Sequence, residues 1–267
     1  MTHPATRMLV WAAALTSTLA QSPVSRKQFD IAAIKLNADN DGRFMLRDLV
    51  GGNFTATGVT LKMLIMRAYR LHSFQVSGGP DWVNNERWDI RAKAEGVEGR
   101  IPSDQFEEML RVLLEDRFQL MVHRETREMP AYALLLGKNG SKLAPHTGGD
   151  PPPGERVRMG RGLLRFKKGS TAGLATNLSL QLGRMVIDKT DLKDDYDFEL
   201  QWTPEPGQGG PEAFGLPPSG SDAPPPVDTN GPSIFTALQE QLGLRLESQK
   251  GPVEILVIDH VEKASEN

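Results

Sequence analysis

An α+β fold is predicted, with antiparallel sheets covered by helices on one face. Three observations carry this. A helix–strand–strand pattern appears four times along the chain. The helical stretches have a 3.6-residue apolar period and the strand stretches are rich in β-branched and aromatic residues. The 267 residues are 39% hydrophobic, enough for one large or two small cores.

The chain opens on a leader. Arg7 supplies a positive start, and "MLVWAAALTSTLA" (8–20) is a short uncharged apolar run. Thr18 and Ala20 are small residues before a cut between Ala20 and Gln21. An apolar run this short falls well under the roughly 20 residues needed to span a bilayer. Residues 1–20 are therefore expected to be an export signal, and no later stretch is expected to span a membrane. The chain has no cysteine, which excludes disulfides, thiol chemistry and thiolate metal sites. Its net charge of −3 offers no basic field to a phosphate backbone, so nucleic acid is not expected as a partner.

"FDIAAIKLN" (29–37) reads as a first strand. The first unit then has a helix at 60–69 and strands "FQVSG" and "RWDIRAKAEG". In the second, helix 103–118 is followed by "QLMVHRE" and "AYALLLGKNG" as a hairpin interrupted at Pro130. The third has a helix at 171–183 with "RMVIDKT" and "YDFELQW"; the fourth has a helix at 233–243 with "LRLESQK" and "VEILVIDHVEK". Phe106, Met109, Leu110, Leu113 and Leu114 make one apolar face. Asp104 and Glu107 have capping-box spacing, and Gly183 and Gly243 suit left-handed C-caps.

Residues 21–145 are read as a first pair of units and 171–267 as a second, joined by a Pro/Gly-rich connection at 146–170. The stretch 203–232 is half Pro or Gly, an expected disordered insertion. One sheet collecting every hairpin and two half-domains both remain open. The first strand and "EILVIDHVE" are similar enough in character to pair with each other.

The segments "TLKMLIMRAY", "VSGGPDW", "MLRVLLEDRFQLMVHRETREMPAYALLLGKNGSKL", "VIDKTDLKDDYDFELQWTPE" and "GPSIFTALQEQLGLRLESQKGPVEILVIDHVEK" follow one order and spacing. They resemble a large paralogous family of exported proteins from Acidobacteria, of the Solibacter type. It is the domain-of-unknown-function family numbered 3738, and the resemblance covers 29–267. It implies no established activity. Related domains attached to membrane metallopeptidase sensors imply a sensing or partner-binding role outside the cytoplasm. Where the family has "DKTGLTGxYDF", this chain has "DKTDLKDDYDF". Asp191 and Asp194 thus stand at glycine positions, where a positive φ is expected.

Chemistry is sparse in the sequence. His72, His123, His146 and His260 are far apart and form no zinc motif. The acidic run from Asp188 to Glu199 has Lys193 where a calcium loop needs glycine, so it is read as a turn. No nucleophile elbow or phosphate loop is present, and no metal or cofactor is expected.

Two surfaces remain. Trp82 and Trp88 flank Asn84 and Asn85, a combination that suits stacking of a sugar or peptide. The alternative has Trp88 in the core and Trp82 over a hairpin end. His123 and Glu125 share a strand face and, with Asp89 or Asp188, compose a hydrolase-like cluster; the alternative is the polar edge of a hairpin. The leading reading is an exported, non-enzymatic binding domain whose partner is a protein or small ligand of the cell envelope. An extracytoplasmic hydrolase, or a sensor acting with a membrane metallopeptidase, stay open beside it.

Overall fold

The computed structural model describes residues 27–38, 44–48, 50–152, 154–205 and 231–265. The leader with its Ala20/Gln21 cut, and residues 206–230 of the Pro/Gly-rich stretch, lie outside the described residues. The first elements are β1 (Ile31–Leu36), β2 (Met45–Asp48), β3 (Asn53–Thr60), α1 (Leu61–Tyr69), β4 (Val76–Gly78), α2 (Trp82–Asn85), β5 (Arg87–Lys93), α3 (Ser103–Phe118) and β6 (Met121–Leu136). There follow β7 (Ala144–Pro145), β8 (Val157–Gly160), β9 (Leu163–Gly169), α4 (Thr171–Leu182), β10 (Val186–Asp188), β11 (Tyr196–Gln201), α5 (Ile234–Ala237), a π-helical turn over Leu238–Leu242, and β12 (Leu244–His260).

Helices α1, α4 and α5 begin where hydroxyl side chains cap them. Thr60 accepts a bond from the Met63 N–H, Ser170 from Gly173 and Ser233 from Thr236. α3 differs: its N-cap is Pro102, with no side-chain bond. Glu107 does not close the expected capping box, because it is buried and bound elsewhere. It accepts Arg67 at 2.6 Å and Arg70 at 2.5 Å, both on or just after α1, and so ties α1 to α3. The predicted apolar face of α3 is buried from Phe106 to Leu114. Gly183 and Gly243 take the left-handed conformation, at φ 58° and 67°.

None of the four expected hairpins forms. In the first unit β4 joins β12 while β5 joins β1 and β3. In the third β10 joins β6 while β11 joins β7 and β9. In the second and fourth units the two expected strands run on as one. "MVHRETREMPAYALLL" is one strand, β6, and "LRLESQKGPVEILVIDH" is another, β12. The two pair antiparallel almost end to end, from Leu244 opposite Leu136 to His260 opposite Met121. Pro130 and the Gly251–Pro252 pair look like turn signals in the sequence. In the structure Pro130 faces Lys250 and Pro252 faces Glu128. There the ribbon is two strands wide, since β10 joins β6 only over Tyr132–Leu134 and β4 joins β12 only over Leu256–Ile258. On an unpaired outer edge, a proline's missing N–H costs no ladder bond.

Three four-stranded sheets result, ordered β1-β5-β3-β2, β10-β6-β12-β4 and β7-β11-β9-β8. The two outer sheets read alike, with strand numbers displaced by six. Their pairings are antiparallel; the central sheet adds β10 and β4 as short parallel edges. β1 pairs with β5 and never with β12, so the expected pairing of the first strand with "EILVIDHVE" is overturned.

The apolar residues divide into two cores that share no member. One gathers Phe29 to Leu120 with Leu256, Ile258 and Ala264; the other runs from Leu134 to Leu244. Among the described residues, the first lobe is thus built around Phe29 to Leu120 with Leu256 to Ala264, and the second around Leu134 to Leu244. Each long strand begins in one lobe and ends in the other. The cores therefore cut the chain inside the β6/β12 ribbon, whereas the sequence division places the connection at 146–170.

Of the two glycine-like positions, Asp191 has φ 59° and Asp194 is not among the left-handed residues. An L-residue there costs more than glycine. Asp191→Gly is expected to raise stability by about 0.5 kcal/mol. Urea denaturation checks it, and a lower midpoint would contradict the assignment of strain.

Candidate functional site

Trp88 is fully buried. Its ring lies edge-on to Phe118 at 5.2 Å and to Trp82 at 6.4 Å. This corrects its place in the predicted stacking site: with no exposed face it cannot hold a ligand. Strand alternation turns it inward at the start of β5, under α3. Trp82 is half-buried on α2, with the Lys263 ammonium 5.9 Å from its ring centre. Asn84 and Asn85 are exposed on that short helix. Trp82 and Trp88 therefore do not form an exposed platform.

The hydrolase-like cluster is also dispersed. His123 Nδ1 bonds Asp259 at 2.8 Å and its Nε2 stands 3.9 Å from Glu125, so the predicted same-face neighbours do meet. The imidazole is half exposed on the ribbon, and Glu125 also pairs with Arg127. Asp89 lies in an outer sheet, accepting Asn37 at 2.7 Å and the Gly58 N–H at 3.0 Å. Asp188 sits opposite Leu134, eleven residues along β6 from His123, which is about 35 Å at strand rise. It accepts Thr171 and Thr190 hydroxyls, each at 2.7 Å. Burial pushes its carboxyl up, but those bonds and nearby Lys193 more than offset this, and the net shift is downward. These are local anchors in three places. His146 is a fourth: Nδ1 donates to Asp197 at 2.8 Å and Nε2 to the Gly149 carbonyl at 3.0 Å. Two acceptors favour the imidazolium and raise its pKa, the Asp197 bond most of all.

The structure brings together a set of residues that sequence reading missed. α1 contributes Met63, Met66 and Arg67, and the chain after it contributes Leu71 and His72. Phe44 and Leu46, at and beside the start of β2, line it too, and Leu180 of α4 adds a side chain from the second lobe. The space is about 350 Å³. The lining is apolar apart from Arg67 and His72, and the cavity lies between two lobes, a common setting for ligand sites. Phe44 is 42% exposed at its mouth.

The two polar groups differ in state. Arg67 lies over the Phe106 ring at 4.9 Å and shares Glu107 with Arg70. One carboxylate against two guanidiniums leaves the trio with one net positive charge. His72 is stacked on Phe74 at 5.4 Å. Burial holds its pKa below the ordinary value, so it is neutral at pH 7. The cues were hard to see in sequence: Met63 and Met66 read as core residues of a helix, and Leu180 lies more than a hundred residues away.

A second cleft, about 490 Å³, is lined by the 137–142 turn and the approach to β12. It lies within one lobe. Two of its three cations are already engaged: Lys142 on the Glu240 carbonyl at 2.7 Å, and Arg245 on the Leu136 carbonyl and on Glu247. The interlobe cavity is therefore the better candidate.

No curated protein and no solved structure is significantly similar to this chain. Residues 62–261 match one family, described as a protein of unknown function (DUF3738). That match spans α1 to the end of the β6/β12 ribbon, both lobes and every side chain of the cavity except Phe44 and Leu46, and the chain belongs to this family.

Proposed function

We propose that the chain is an exported, non-enzymatic binding domain that takes a small apolar ligand between its lobes, outside the cytoplasm. The interlobe cavity carries this reading. It offers methionine, leucine and phenylalanine side chains around a space at the lower end of the roughly 300–1,000 Å³ range for small-molecule sites. Methionine lining adapts to ligands of varied shape. The dispersal of His123, Asp89 and Asp188 supports binding over catalysis. The leader and the resemblance to exported acidobacterial proteins support a place outside the cytoplasm. Among the described residues, no helix is long and apolar enough to cross a membrane.

Native mass spectrometry of protein recovered from its own envelope fraction tests this. The expected chain begins at Gln21 and carries a small-molecule adduct, which Leu180→Glu removes. An uncleaved cytoplasmic chain would overturn export. A small molecule chemically altered on incubation with the protein would overturn the non-enzymatic reading.

A further inference from the structure

We infer that the interlobe cavity is a site for an apolar monocarboxylate, its tail among Met63, Met66, Leu71 and Leu180 and its carboxylate between Arg67 and His72. This rests on the cavity's being the binding site, and adds the chemical class of the ligand.

The argument is one of charge and of unmet hydrogen bonding. Glu107 is nearly buried and receives both Arg67 and Arg70. A single carboxylate neutralises one of them, and the excess charge stands where Arg67 lines the cavity. Arg67 contacts Glu107 through one terminal nitrogen, Nη1. A guanidinium has five N–H donors, so others are left for a ligand. It is also fixed in place by Glu107 and the Phe106 ring, so binding a second carboxylate costs little side-chain ordering. The His72 ring is held against Phe74 and lines the same cavity. A neutral imidazole offers one N–H to an anion without itself needing a counter-charge.

The rest of the lining has no polar side chain. A strongly polar ligand such as a sugar or a zwitterionic amino acid would leave hydrogen-bonding groups unmet there, at a cost of about 1–3 kcal/mol each. A wholly apolar ligand would instead desolvate Arg67 without compensation. A molecule with one anionic end and an apolar body meets both demands.

Octanoate and 1-octanol share a tail and differ in the head, so they serve as probes. Each is titrated into the leaderless chain at pH 7, following the methyl signals of Met63 and Met66 by NMR. Octanoate is expected to bind at least about tenfold tighter than octanol, the equivalent of one charge-assisted hydrogen bond. Arg67→Gln should remove the preference, bringing the octanoate-to-octanol affinity ratio to about one. Leu180→Glu should weaken both. Equal affinities for the two probes, both lowered by Leu180→Glu, would overturn the carboxylate inference and leave the cavity standing as an apolar site. No shift at either methionine with either probe would overturn both. If Arg67→Gln does not fold, the octanoate-to-octanol ratio in the unaltered chain decides, with a ratio near one counting against the inference.

Discussion

Trp88→Ala is expected to lower the stability of the first lobe by about 3–5 kcal/mol, the usual cost of emptying a fully buried aromatic site. Trp88 has no exposed surface, and it fills the space between β5, α2 and α3 through Trp82 and Phe118. The two cores share no residue, so the damage should not spread. Calorimetry should resolve two transitions. The first-lobe transition should fall by at least about 10 °C and the other should stay where it is. Both moving together would refute the two-core description. Trp88→Phe is a sharper control. The indole N–H is buried without a hydrogen-bond partner among the described residues. Removing it relieves a cost of about 1–3 kcal/mol, which offsets part of the lost area. Phenylalanine should therefore be tolerated far better than alanine.

Gly243→Ala is expected to cost about 2–4 kcal/mol, and Gly183→Ala about 1. Both glycines end a helical segment in the left-handed conformation, so both pay the same backbone strain. They differ in their surroundings. A Cβ at Gly243 would stand 2.3 Å from the Gly140 carbonyl oxygen, which is backbone and cannot swing aside. At Gly183 nothing lies within 4 Å. The difference between the variants measures the steric part alone. Denaturant unfolding of the two side by side reads it, and equal losses would mean that the 137–142 turn does not press on Gly243.

The local features were legible in the sequence. The α3 face from Phe106 to Leu114 and the left-handed glycines Gly183 and Gly243 depend on neighbours within a turn or two. The path of the chain was not. Pro130 and Gly251–Pro252 carry ordinary turn signals, and only the lack of a third strand beside them makes them compatible with a continuous ladder. Glu107 shows the same limit: spacing offered it to Asp104, but Arg67 on α1 and Arg70 just after it hold the carboxylate instead. The candidate site was least legible of all. Its walls come from β2, α1 and α4, and nothing in the spacing of Leu180 links it to Met63. The residues that stood out by type, Trp88 and His123, are a core residue and a half-exposed ribbon pair.

The crossing of β6 and β12 has a consequence for the order in which the molecule is completed. Val76 must wait for Leu256 to arrive before β4 has its partner. Leu256 and Ile258 are core members of a lobe whose other strands were synthesised long before. The second lobe, by contrast, has all its strands by residue 251. Chains usually fold from the N-terminus as they emerge. Here the inner portion closes first, and the outer one stays open until its last strand docks. Such distant pairings are slow to form, so the newborn chain spends its longest interval with β4 unpaired.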